Sequence, residues 1–329
     1  MKVSNAEVLI RPEQEKGPSA PFPDMIWIPG GMFTMGSDNH YAEEAPAHRV
    51  KVDGFWMDRH PVTNRDFLAF VQATGYRTFC EKEPDLNLYP GASESMKDPA
   101  SVVFVKPASP VDLRNPYLWW QFIPGANWRS PQGPGSSIES RMDHPVVHVS
   151  WQDVQAYAKW IGKKLPTEAE WEFAARGGHE GREFAWGEEL EPEGRHQANI
   201  WQGEFPWQNH SGDGFEGTSP VTAFPPNDYG LFDMIGNVWE WTVDWYSPRH
   251  PDEKLKACCI PKNPRGGAEA DSFDPRQALK IPRKVMKGGS HLCAPNYCKR
   301  YRPSARMAQP VDTSTSHLGF RCVVRGERS

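Results

Sequence analysis

Cysteine is scarce in this chain: six in 329 residues, at positions 80, 258, 259, 293, 298 and 322. That is too few for a disulfide framework. It fits a reducing, cytoplasmic compartment, where paired cysteines more often bind metal or do chemistry. No stretch approaches the ~18 consecutive apolar residues that cross a bilayer, so no membrane partner is expected. The opening residues, MKVSNAEVLIRPEQEKGPSAPFPD, lack both a roughly 7–15-residue apolar run and a small-residue cleavage site, so no secretory signal is expected. No run of Lys and Arg marks a phosphate-binding surface, and the net charge is −5, which argues against nucleic acid.

What the chain has in quantity is 32 Pro, 28 Gly and 14 Trp, which predicts a loop-rich fold with indole rings filling the core. Three helices have readable ends. The first spans about 63–74, with Thr63 as cap, Asp66 as its reciprocal partner and Gly75 as stop. The second follows Ser150 and lines up Trp151, Val154, Tyr157, Trp160 and Ile161 on one face. The third follows Pro166, with Thr167 and Glu170 as a capping box and Gly177-Gly178 as its end. Strands are predicted at Met25–Ile28, around Val50, Val52 and Phe55, at 284–288 and at 318–325. Residues 80–145 and 247–283 show no period and read as long, Pro-rich loops. The expected class is α+β, one irregular domain over 23–326 with a leader at 1–22 and a tail at 327–329. It is expected to act as a monomer.

The sharpest chemistry lies in Lys287-Gly288-Gly289-Ser290-His291-Leu292-Cys293-Ala294-Pro295-Asn296-Tyr297-Cys298. Two thiols five residues apart, in a segment bent by Gly and Pro, can meet. Two thiolates suit Cu(I), a soft ion, whereas zinc normally takes four ligands. Buried core cysteines or a disulfide fit the same spacing. Lys287, Lys299, Arg300 and Arg302 would favour thiolate if they turn inward. His144 and His148 read as structural, Cys322 as a buried free thiol, and Cys258-Cys259 matches no motif.

The segment Lys-Gly-Gly-Ser-x-x-Cys-x-x-x-Tyr-Cys-x-Arg-Tyr-Arg resembles the active-site stretch of bacterial formylglycine-generating enzymes, the sulfatase-modifying factor family. Further blocks resemble the same family: Ile28-Pro29-Gly30-Gly31, His144-Pro145-Val146, Leu165-Pro166-Thr167-Glu168-Ala169-Glu170-Trp171, Gly236-Asn237-Val238-Trp239-Glu240-Trp241 and Leu318-Gly319-Phe320-Arg321-Cys322. The resemblance implies an irregular fold of C-type-lectin-like character. It implies that Cys293 and Cys298 hold Cu(I), and that O2 is consumed to convert the cysteine of an unfolded sulfatase segment, Cys-x-Pro-x-Arg, to Cα-formylglycine. A mixed disulfide between substrate and one enzyme cysteine would need the same residues. The resemblance gives Ser290 and Trp239 places beside the reacting sulfur and oxygen; a local turn cap and a core indole are their structural counterparts. It also implies two Ca2+ sites. One is made by Asn199, Ile200, Asp213 and Phe215, the other by Asp233, Gly236, Val238 and Glu240, with side-chain and carbonyl oxygens of the kind calcium takes. Hydrogen bonds that tie loops together would use the same oxygens. One departure is Ala294-Pro295, where family members often carry His and Arg. The competing reading is a non-catalytic lectin-like module that binds peptide or sugar; non-oxidising relatives lack one or both cysteines. A sulfoxide synthase would need a further iron-binding helical domain, and no Cys-x-x-Cys marks a disulfide oxidoreductase.

Overall fold

The computed structural model describes residues 18–90, 97–250 and 260–326. Most of the expected leader, residues 1–17, and the tail 327–329 therefore lie outside the described residues, as do Cys258 and Cys259.

The opening strand β1 (Met25–Ile28) pairs antiparallel with β4 (Phe55–Asp58). Between them, β2 (Gly31–Met35) pairs with β3 (His48–Val52). The single strand expected around Val50–Phe55 is therefore two, broken at Asp53-Gly54. Gly30 explains the tight fit there: its φ is 72°, and a Cβ on it would meet the Asp53 carbonyl carbon at 2.6 Å.

The three helices form where their caps predict. In α1 (Asn64–Thr74), Thr63 and Asp66 exchange hydrogen bonds and Gly75 ends the helix in the left-handed region. In α2 (Trp151–Ile161), Ser150 and Asp153 do the same before Gly162. In α3 (Glu168–Ala175), Thr167 pairs with Glu170, and every residue of the helix is buried. Trp160, expected on the buried face of α2, is 39% exposed and lies at its rim against Phe70 and Tyr157.

Residues 80–145 are not one loop. β5 (Ala100–Phe104) and β6 (Trp120–Pro124) pair antiparallel across them. The surrounding prolines hid a short strand-forming run around the β-branched pair Val102-Val103. β7 (Trp239–Trp245) lies inside the main sheet, with order β10-β7-β8-β9. Its first four residues are all buried, so it shows no polar alternation by which to be read. β8 (Arg283–Lys287) and β9 (Arg306–Pro310) pair antiparallel beside it. The strand expected at 318–325 splits. β10 (Leu318–Gly319) runs parallel to β7, and β11 (Val323–Arg325) joins β4 in the other sheet. Arg321 sits at this crossing and is fully buried.

Burial explains how so little regular structure holds together. One apolar cluster joins α1 and α2 to β7 and includes Cys293, with Cys298 packed against it. A second lies between β1–β4 and α3. A third, of Trp119, Trp201, Phe205, Leu292 and Ala294, supports the thiol loop from the other side. Among the described residues no helix is long and apolar enough to cross a membrane.

Candidate active site

The thiol loop begins where β8 ends. Gly288 and Gly289 both have positive φ, 95° and 72°. A Cβ on Gly289 would meet the Arg300 carbonyl oxygen at 2.8 Å, so the start of the loop lies directly on its end. Within the loop, the Cys293 N–H donates to the Ser290 carbonyl (2.9 Å) and the Cys298 N–H to the Ala294 carbonyl (2.8 Å). Trp201 N–H donates to the Cys293 carbonyl (3.1 Å), which ties the loop to the third cluster.

These bonds bring the sulfurs together. Cys293 Sγ and Cys298 Sγ are 3.4 Å apart and both thiols are free. Cys293 is 2% exposed and Cys298 is half-buried, so the pair has a fully enclosed inner residue and a partly exposed outer one. The hydrogen bond from the Cys293 thiol, aided by Arg300, draws Cys298 down to about 7. Burial, together with the neighbouring sulfur, pushes Cys293 well up. The pair therefore favours its proton on the inner sulfur and the thiolate on the outer one. Two metal–thiolate bonds of ~2.3 Å reach across this gap, so the two residues fit a soft monovalent ion.

The wall beside Cys298 is aromatic. Tyr297 stacks on Phe205 (4.6 Å, 8° between planes) and meets Trp119 edge-on (5.5 Å). Ser290 is fully buried, and its hydroxyl accepts from the Leu292 N–H (3.2 Å), the local turn role open to it in the sequence. Trp239, on β7, is 2% exposed and belongs to the same cluster as Cys293. His144 bonds Thr218; His148 bonds Ser101 and the Pro131 carbonyl; His291 bonds the Asn237 carbonyl. Cys322 is buried and free.

In the first expected calcium set, Ile200 and Asp213 meet through Gln202. The Gln202 amide donates both to the Ile200 carbonyl and to Asp213 Oδ2 (2.9 Å). Asp213 Oδ1 accepts from the Phe215 N–H (3.0 Å). Asn199 Oδ1 is buried without a hydrogen-bond donor. The Ile200 carbonyl and the Asp213 carboxylate meet at one amide, and the orphaned Asn199 oxygen belongs to the same stretch; oxygens of these types fit a hard cation. The second set is arranged differently. Both Glu240 oxygens accept from Arg321 (2.7 and 2.8 Å), and one also accepts from the Trp171 indole (2.8 Å). Arg321 continues to the Phe232 and Asp233 carbonyls. Burial raises Asp233 to about 7, and its carboxyl accepts from Asn237 (2.7 Å). A guanidinium therefore already holds both side-chain oxygens of Glu240, oxygens that this set would offer an ion.

The sequence reading passed over Gln202, and over Tyr41 and Glu43, which come from the turn after β2 to meet Arg300. Nothing in the sequence places residues 41 and 43 beside residue 300.

A half-open pair of free thiols on a loop-built α+β scaffold is a centre for thiolate or soft-metal chemistry. Residues 11–326 match the family described as the sulfatase-modifying factor enzyme 1-like domain, and the chain belongs to that family. It is 50% identical over 301 residues to a formylglycine-generating enzyme of Mycobacterium tuberculosis, covering 91% of this chain and 97% of that one. It is 48% identical over 302 residues to the formylglycine-generating enzyme of Mus musculus, covering 91% and 74%. A second mouse relative, the inactive Cα-formylglycine-generating enzyme 2, is 40% identical over 305 residues, covering 91% and 85%. Among solved structures, PvdO from Pseudomonas aeruginosa shares the fold with a TM-score of 0.63 at 24% identity, over 95% of this chain and all of that one.

Proposed function

We propose that this chain converts a cysteine in an unfolded sulfatase segment, Cys-x-Pro-x-Arg, to Cα-formylglycine, using O2 and a Cu(I) ion held by Cys293 and Cys298. The observation that carries the reading is the pair of free sulfurs 3.4 Å apart, the outer one on a residue that is only partly buried. It is supported by the family and by active relatives at up to 50% identity. Both cysteines that the reading needs, Cys293 and Cys298, are present in this chain.

In balanced form, the CH2–SH of the substrate and O2, with two protons and two electrons from an external thiol, give the aldehyde CHO, hydrogen sulfide and water. The copper ion supplies soft binding for a thiolate and a place for O2 to react. The protein supplies the rest. Cys298 presents an anionic sulfur on the open side, and Cys293 anchors the site from within. Tyr297, Phe205 and Trp119 form an apolar wall against which an extended peptide lies. Ser290 fixes the loop turn that sets the spacing of the sulfurs, and Trp239 closes the site against water. Asn199, Ile200, Asp213 and Phe215 hold a structural Ca2+ that joins loop 199–215. The protein acts as a monomer in a reducing, cytoplasmic compartment.

The test is mass spectrometry of a Cys-x-Pro-x-Arg peptide incubated with copper-loaded protein, O2 and a thiol reductant. The expected product has lost sulfur and reacts with a hydrazide. Cys293→Ala and Cys298→Ala each abolish it. An unmodified peptide with fully loaded wild-type protein would leave the lectin-like binding module as the function.

A further inference from the structure

A guanidinium touches the open sulfur. Arg300 Nη1 lies 3.7 Å from Cys298 Sγ, close enough to donate to it. The rest of that side chain is gripped on two sides. Nε and Nη2 both donate to Glu43 Oε1 (3.2 and 2.6 Å), and the plane stacks on the Tyr41 ring at 3.8 Å. Tyr41 is held by the thiol loop in turn, because its hydroxyl accepts from the Lys299 N–H (3.1 Å). The next acid, Glu44, pairs with fully buried Arg302 (2.7 Å). Two consecutive carboxylates of one turn therefore hold two alternate arginines of the thiol loop.

We infer that Arg300 is a positioning residue for the metal centre: clamped by Glu43 and Tyr41, it orients the Cys298 sulfur and offsets the negative charge that the centre gathers. The inference rests on the copper reading above and deepens it. Two thiolates around a monovalent ion leave one excess negative charge, and an incoming substrate thiolate adds another. A largely buried site tolerates such charge only beside a compensating group. The guanidinium provides it at the outer sulfur, where the substrate arrives. Arginine suits the place better than lysine, because one planar fork reaches carboxylate and sulfur together while its face lies on a ring.

Copper-free wild type, R300K, R300M and E43Q are titrated anaerobically with Cu(I) against a chromogenic Cu(I) chelator at one fixed pH. Losing a hydrogen bond to a charged group weakens R300M by roughly tenfold to a hundredfold. R300K, which keeps charge without the fork, lies between R300M and wild type. E43Q, which loosens the clamp, shows a smaller loss. The expected change sits in metal affinity, with thermal unfolding of metal-free R300K and E43Q near wild type, a pattern that general destabilisation does not produce. Wild-type affinity in R300M and E43Q overturns the inference and leaves the copper reading standing. A wild-type protein that cannot compete for Cu(I) overturns the copper reading and this inference with it.

Discussion

Replacing Glu240 with Gln removes one charge and changes almost no volume, so its effect reads the electrostatics of the sheet crossing directly. Arg321 and Glu240 are each fully buried and joined at 2.7 Å. Arg321 Nε and Nη2 donate to both carboxylate oxygens, and the Trp171 indole donates to one of them. An amide offers only one acceptor oxygen. Its NH2 would face a guanidinium or an indole N–H, whichever way it turned. Breaking one side of a buried ion pair costs about 3–5 kcal/mol, because the remaining charge stays desolvated. With an unfolding entropy of about 2.1 cal/mol/K per residue, a chain of this length shifts by ~1.4 °C per kcal/mol, so Tm should fall by about 4–7 °C. Differential scanning calorimetry of metal-free protein measures it. The double variant Glu240→Met, Arg321→Met removes both charges and should recover most of the loss. A single variant melting within about 1 °C of wild type would show that the pair is not the desolvated bridge described here.

Two further outcomes follow from buried groups and caps. Burial holds His148 and His291 down at about 4, below the ~6.5 of an exposed imidazole. The unfolded chain therefore takes up protons first as pH falls. The stability these residues contribute is fully present above ~6.5 and is lost as pH drops toward 4, at about 2 kcal/mol each by pH 5. Urea midpoints between pH 7 and 5 should fall accordingly, and a flat profile would contradict neutral, buried imidazoles. Thr167→Ala removes the cap that accepts from the Glu170 N–H (3.1 Å). It should cost about 1 kcal/mol, seen as a lower urea midpoint with unchanged slope.

What the sequence made legible was what local chemistry decides. Thr63, Ser150 and Thr167 announced their helices, because a cap and its reciprocal acid lie three residues apart. Cys293 and Cys298 announced themselves by spacing within one bent segment. Other features depend on partners far along the chain. β7 was concealed because both its faces are buried, so Glu240 and Thr242 sit inside where polarity usually signals outside. β5 was masked by prolines on either side, and its pairing with β6 reaches across residues 105–119. Donor types at 233–240 suggested calcium, yet Arg321, some eighty residues later, had claimed Glu240. The contacts of Arg300 with Tyr41 and Glu43 span more than 250 positions and leave no local trace.

The abutment of Gly289 on the backbone of Arg300 means that the two ends of the thiol loop are pinned by the chain itself. The gap between the sulfurs is therefore a property of the polypeptide before any ion arrives. Zinc fingers need their metal in order to fold. Under the copper reading proposed above, folding and metal loading become separate events, and the ion joins a loop whose ends already lie on each other.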